Sequence, residues 1–222
     1  MLSSVTGSFP SVQAPPKRRM TAEARREQIL DVTHAIVDAE GFHAATPNRI
    51  AEAAGIDRTL IYQKFGDLAG LFVELIDREA ARAGAQFAEA ISGLDAAEED
   101  QSLVLAFDGV LAAVDAHPAT WRLFLFPPEG APPELYARLA QSQAIVLEFF
   151  VSELLRHNPQ LHEPEYTARI LHAAGRELLQ LHLSDPQTAS QERLRTFVRR
   201  LGSELVGSSG PRACVSVRDT PV

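Results

Sequence analysis

Cysteine is nearly absent from this chain of 222 residues: Cys214 stands alone, in a tail rich in Ser, Gly, Pro and Arg. A single cysteine excludes a disulfide framework within one chain, and a reducing compartment, by default the cytoplasm, fits that usage. Long hydrophobic runs are missing as well. No segment approaches the roughly 18 to 20 uncharged apolar residues that cross a bilayer, so no spanning helix and no membrane partner is expected. Lys17, Arg18 and Arg19 follow a Ser/Pro stretch instead of preceding an apolar segment, the wrong order for a secretory leader. Catalytic signatures are lacking too, with no G-x-S-x-G, phosphate loop, dinucleotide fingerprint, HExxH or CxxC. His162, His172 and His182 lie ten apart, so no i, i+4 pair among them shares a helix face. The expectation is therefore no metal, no cofactor and no enzymatic activity.

What is there is a chain with 45% hydrophobic residues, enough for one substantial core or for a small and a larger helical domain. The net charge of −8 argues at first against a nucleic-acid partner. Its distribution argues otherwise. Residues 1–66 hold eight bases against seven acids, a net +1, which leaves −9 for the remainder. A basic head on an acidic body can bind DNA, because repulsion from the body is screened beyond about 8 to 10 Å at physiological salt.

Residues 1–20 combine Ser, Pro and Gly without helical period and read as a disordered arm. Ile29, Leu30, Ile36 and Val37 then form a stripe at helical spacing, and Gly41 supplies a stop, which predicts a helix over 22–40. Thr46-Pro47 is a capping oxygen followed by a residue with no amide hydrogen to satisfy, the start of a second helix that ends near Ala54. Gly55 turns the chain, Ile56 anchors it, Asp57 caps a third helix from Arg58 to about Lys64, and Asp67 caps a fourth. Leu68-Ala69-Gly70 opens that fourth helix poorly, so a mobile junction is expected there. Beyond it apolar residues recur only at helical spacing, with breaks at 92–101, 117–118, 127–133, 158–164 and 185–186, and the composition loosens again from residue 207.

The segment from Arg49 to Phe65 meets the physical requirements of a helix-turn-helix. Ile50, Ala54, Ile56, Ile61 and Phe65 can form a miniature core, Ala51 lets two helices cross closely, and Gly55 permits the sharp turn. Arg58, Thr59, Tyr62 and Gln63 are left on the opposite face of the third helix, a set suited to base edges and phosphates.

These elements, Ile29 to Phe42, Thr46, Ile50-Ala51-Glu52-Ala53-Ala54-Gly55-Ile56 and Ile61-Tyr62-Gln63-Lys64-Phe65, resemble the DNA-binding region of the TetR family of regulators across about residues 25–75. The resemblance implies an all-α fold: a three-helix DNA-binding domain at 21–66, a helical ligand-binding and dimerisation domain at 67–207, and a flexible tail at 208–222. It implies that Asn48, Arg58, Thr59 and Tyr62 face the major groove, with Thr46, Gln63 and Lys64 on phosphates. Arg18, Arg19 and Arg25, together with Lys17 and Arg26, can add salt-dependent affinity for the backbone. The family usually has threonine at the position of Leu60 and lysine at that of Leu68, so two backbone contacts are expected to be lost.

In the second half, Phe107, Trp121, Phe124, Tyr136 and Phe149, with Phe150, can line an apolar ligand cavity, and Asp108 or Arg122 can orient a ligand; an ordinary core is the competing account. The small residues Ala173, Ala174 and Gly175, with Leu178, and the stripe Phe197, Val198, Leu201 and Leu205 are expected to form a dimer interface. The expected function is a transcriptional regulator, a repressor whose homodimer leaves a palindromic DNA operator on binding an unknown small molecule. The alternative is a helical small-molecule- or partner-binding protein with a vestigial helix-turn-helix.

Overall fold

A computed structural model describes residues 20–92, 94 and 101–207, with side chains at 202–207 not described. Among these residues the chain is helical with no strand. The helices are α1 (Ala22–Glu40), α2 (Pro47–Ala54), α3 (Thr59–Phe65), α4 (Leu68–Ile91), α5 (Ser102–Ala116), α6 (Pro118–Leu125), α7 (Pro133–His157), α8 (Pro164–Ser184) and α9 (Gln191–Gly207), with a 3-10 turn at Phe42–Ala44. No single helix among them is long and apolar enough to cross a membrane.

Local chemistry sets the boundaries. The hydroxyl of Thr21 accepts from the Ala24 amide at 3.1 Å and opens α1. Pro47, Pro118, Pro133 and Pro164 each stand at the first position of a helix, where the missing amide hydrogen costs nothing. The Asp67 carboxylate accepts from the Gly70 amide at 2.7 Å and caps α4. Gly70, expected to loosen this junction, has a packing reason: a Cβ there would stand 2.3 Å from the Phe65 carbonyl oxygen. Only glycine lets α4 start so close to the end of α3.

Two apolar cores form, and α6 joins them. The first packs Ile29, Val37, Ile50, Ile61 and Phe65 of the N-terminal helices against Leu71, Leu75 and Ile76 of α4, Leu123 and Phe124 of α6, and Leu135 of α7. Burying each such Leu or Ile side chain contributes roughly 1.5–3 kcal/mol. The second gathers Leu111 and Val114 of α5, Leu125 of α6, Leu179 of α8 and Leu194 of α9, with Trp121 packed against it. The first core therefore crosses residue 66, the expected domain boundary, without a break. Helices α5 and α6 meet at 111° at the His117-Pro118 break, which swings α6 back beneath α1.

Buried polar contacts follow the same path. Glu79 of α4 is fully buried, and its carboxylate accepts from the Thr120 hydroxyl of α6 at 2.6 Å and from Arg78 and Arg82 at 2.9 Å each. Arg78 also reaches Glu27 and Asp31 of α1, at 2.9 and 2.8 Å. His34 of α1 stands 3.6 Å from Glu79 and 3.3 Å from the Ala119 carbonyl oxygen. A buried carboxylate surrounded this way is satisfied, and it fixes α1, α4 and α6 relative to one another.

Candidate functional site

The first candidate surface is α3. Gly55 takes the left-handed conformation (φ 63, ψ 41), and its neighbour Ile56 donates its amide to the Ala51 carbonyl at 3.0 Å, closing α2 and turning the chain. Asp57 accepts from the Thr59 amide at 2.7 Å. The Thr59 hydroxyl and amide hold the Asp57 carboxyl below its ordinary range, so it stays ionised at the turn. Ile61 and Phe65 are buried beneath α3, while Arg58, Thr59, Tyr62 and Gln63 are exposed. Asn48 and Thr46 are exposed beside them at the start of α2, where the Thr46 hydroxyl accepts from the Arg49 amide at 3.4 Å. The carbonyl of Arg58 accepts from the Ile61 amide at 3.0 Å, while its side chain makes no hydrogen bond or ion pair among the described residues. Each member of the sequence-derived set at 46–63 is thus solvated.

The other bases divide. Lys64 is half-buried, and its carbonyl accepts from Arg26 at 2.8 Å. Arg26 also pairs with Glu74 and lies 4.7 Å over the Phe65 ring. It clamps α1 to α3 and α4, and so is not the free backbone contact expected of it. Arg25 donates to Gln28 at 2.6 Å, and Gln28 in turn holds the Ala54 carbonyl. Arg49 is bound to Glu40 of α1. Arg18 and Arg19 lie outside the described residues, as do residues 208–222. Leu68 packs against the first core, a physical reason for an apolar residue where the family has lysine, and Leu60 is half-buried.

The second candidate is a cavity of about 390 Å³ lined by α4 to α8. Phe107, Trp121, Phe124, Phe149 and Phe150 are among its lining residues. Tyr136 does not: it is 54% exposed, near the start of α7. Neither proposed polar orienter reaches the cavity. Arg122 is turned to Asp38 of α1, and Asp108 accepts from Arg195 of α9 at 3.2 Å. The polar lining comes instead from Ser142 and Gln143 of α7 and His172 and Arg176 of α8. Sequence reading missed the last two, although His172, Gly175, Arg176 and Leu179 fall at helical spacing on one face. Trp121 donates its ring N–H to Gln86 at 2.8 Å, which fixes the indole against the cavity wall.

The third candidate is the outer face of α8 and α9. Phe197 is 40% exposed, whereas Ala174, Leu178, Val198 and Leu201 are half-buried. Leu178 packs partly inside its own chain against the second core, and Gly175 faces the cavity. The side chain of Leu205 lies outside the described residues. Three larger apolar groups escaped notice in the sequence. Tyr166, Ile170 and Leu181 of α8 are exposed at 64%, 69% and 47%, along one side of the helix with Ala173 and Glu177 between them.

Among the described residues no group of three or more His, Cys, Asp or Glu side chains can hold a metal ion.

Comparison with known proteins agrees with this arrangement. Residues 29–75 match the family model of bacterial regulatory proteins of the tetR family. The HTH-type transcriptional regulator BetI of Vibrio campbellii is 29% identical over 105 residues, 46% of this chain and 53% of that protein. The chain therefore spans about half the length of that curated relative. A TetR-like transcriptional regulator from Rhodococcus sp. RHA1 superposes with a TM-score of 0.71 at 22% identity, covering 85% of this chain and all of the other. A TetR family transcriptional regulator from Agrobacterium tumefaciens gives 0.61 at 16% identity, covering 82% of this chain and 97% of its own. At such identities the structures establish the fold.

Proposed function

We propose that this chain, which belongs to the TetR family of bacterial regulatory proteins, represses transcription as a homodimer on a palindromic operator and is released by a small molecule bound among α4 to α8. The observation that carries the reading is α3. Its inner face is locked in the core while Arg58, Thr59, Tyr62 and Gln63 stand in solvent, a short helix that fits a major groove with donors and acceptors for base edges. Asn48 and Thr46 extend the same surface toward phosphates, and Lys64 and Arg25 flank it; Arg18 and Arg19 precede it in the sequence.

Dimerisation supplies the second recognition helix. The exposed apolar side of α8, with Phe197 of α9, supports an isologous contact in which each copy covers the other. Release follows from the position of α6. Trp121, Phe124 and Leu125 form part of the cavity wall, while Thr120 and Arg122 of the same helix hold α4 and α1. A ligand that prefers one position of α6 biases the separation of the two recognition helices. A difference in affinity of about 1–3 kcal/mol between the two arrangements is enough.

The test is selection of bound duplexes from a random pool by the full chain, together with binding to the DNA upstream of its own gene. Enrichment of a palindrome is the expected result. Equal binding to all duplexes would remove the operator reading.

A further inference from the structure

The cavity has a polarity that the effector reading alone does not specify. Its wall is mostly aliphatic and aromatic, and among the described residues no Asp or Glu contributes to it. The one cation among the described residues of the wall is Arg176, half-buried on α8. Its guanidinium donates one hydrogen bond, to the Leu125 carbonyl oxygen at 2.9 Å, and makes no ion pair among the described residues. Five other half-buried arginines have an acid partner, Arg26 with Glu74, Arg78 with Glu27 and Glu79, Arg122 with Asp38, Arg138 with Asp77 and Arg195 with Asp108, while Arg25, outside the cavity, has the side chain of Gln28. A guanidinium at the edge of an apolar cavity without a counter-ion is costly, and an incoming anion offsets that cost.

We propose that the cavity takes a carboxylic acid with an apolar body, its carboxylate paired with Arg176; this rests on the cavity being the effector site. The planar guanidinium offers two parallel N–H donors to one carboxylate, the best-matched pairing available to it. His172, one turn before Arg176, has its pKa lowered by burial and by the Arg176 charge, so its ring is neutral near pH 7 and Arg176 alone carries positive charge in the wall. One cation suits a monoanion; a phosphate dianion would be left half-neutralised. Ser142 and Gln143 of α7 add neutral hydrogen-bonding groups. A cavity of about 390 Å³ is at the small end of the range for ligand pockets, so the body is a medium-length chain or a ring system of modest size.

The same arginine ties the ligand to α6. Leu125 is the last residue of that helix, and its carbonyl is held by Arg176 and by Gln180, the latter at 2.6 Å. A carboxylate that recruits the guanidinium competes for one of the two donors that hold the end of α6.

Trp121 is the only tryptophan in the chain and stands in the cavity wall, so its fluorescence reports occupancy directly. The experiment titrates the full chain with decanoate and 3-phenylpropionate and with the corresponding neutral amides. At least one acid is expected to bind about tenfold or more tightly than its amide. R176Q should remove that preference and leave amide binding in place, and R176K should restore part of it. Equal affinity of acid and amide, a preference that survives in R176Q, or no binding by any of the four overturns the proposal. Operator release, measured in parallel, separates the two readings. An acid preference without release leaves this inference standing and removes the effector role. Release by the amides with no acid preference does the opposite.

Discussion

Arg122 and Asp38, 84 positions apart in the sequence, close a two-bond contact between α6 and α1, with guanidinium nitrogens donating to the carboxylate oxygens at 2.8 and 2.6 Å. Arg122 follows the cavity-lining Trp121 on α6, so the pair ties the helix of the cavity wall to α1. Its side chains are 40% and 20% exposed, so it adds little to stability, roughly 1 kcal/mol or less. In the proposed release mechanism this pair transmits the movement of α6 to α1. R122Q should therefore bind operator nearly as well as the wild type while losing most of the weakening that ligand causes. The check is the ratio of operator Kd with and without ligand; an unchanged ratio would place the coupling elsewhere.

Glu79 calls for a different outcome. Its carboxylate is fully buried and accepts from Thr120, Arg78 and Arg82. Removing it leaves the buried Thr120 hydroxyl without its acceptor and takes one acceptor from Arg82 and from Arg78, which keeps Glu27 and Asp31, so E79A should destabilise the chain by roughly 1–3 kcal/mol in denaturant unfolding. E79Q, which keeps the shape and one acceptor, should cost less.

His182 gives the chain a pH dependence. The ring is buried, with one nitrogen 2.7 Å from the Ala189 carbonyl oxygen and the other 2.7 Å from the Asp115 carboxylate. Burial pushes its pKa down, but the hydrogen bonds to Asp115 and Ala189 and the Asp115 charge outweigh it and hold the pKa above the ordinary value. Two acceptors require two N–H donors, which only the imidazolium supplies. A raised pKa in the folded state means that the stabilisation is complete below the unfolded value of about 6.5 and is lost as pH rises through the folded value. The denaturation midpoint should fall as pH rises above about 6.5, and H182Q should flatten that fall. An identical pH profile for H182Q would contradict the assignment.

Two glycines in α4 should respond to alanine with opposite signs. At Gly70 the added Cβ meets the Phe65 carbonyl oxygen at 2.3 Å, so G70A should cost about 1–3 kcal/mol. At Gly84 nothing lies within 4 Å, and G84A should stabilise the helix by roughly 0.5–1 kcal/mol. Thermal melts of the two variants decide it.

The sequence was most readable where the signal is local. The stripe through Ile29, Leu30, Ile36 and Val37, closed by Gly41, yields α1 at its observed bounds, and each Pro at a helix start marks a break that the structure keeps. The exposed face of α3 follows from counting around a helix whose buried residues are Ile61 and Phe65. What could not be read is what long-range contact decides. Nothing near Arg26 announces Glu74 or Phe65, 48 and 39 positions on, and nothing near Arg122 announces Asp38. Aromatic density drew attention to Tyr136, yet composition does not say which side of α7 faces the cavity. His172 and Arg176 were legible in principle, through their spacing with Gly175 and Leu179, but their value depends on the absence of a nearby acid, which only the fold reveals.

The central claim is that α3 reads base edges, and Arg58 tests it most directly because its side chain makes no hydrogen bond or ion pair among the described residues. Substituting it should leave folding untouched, so any change reports on DNA. The decisive measurement is the affinity of the full chain for its selected operator and for a scrambled duplex, compared between the wild type and R58A. A loss of roughly 1–3 kcal/mol, about 5- to 150-fold, on the operator with little change on the scrambled duplex is the predicted result. Unchanged operator affinity in a folded R58A chain would contradict the account.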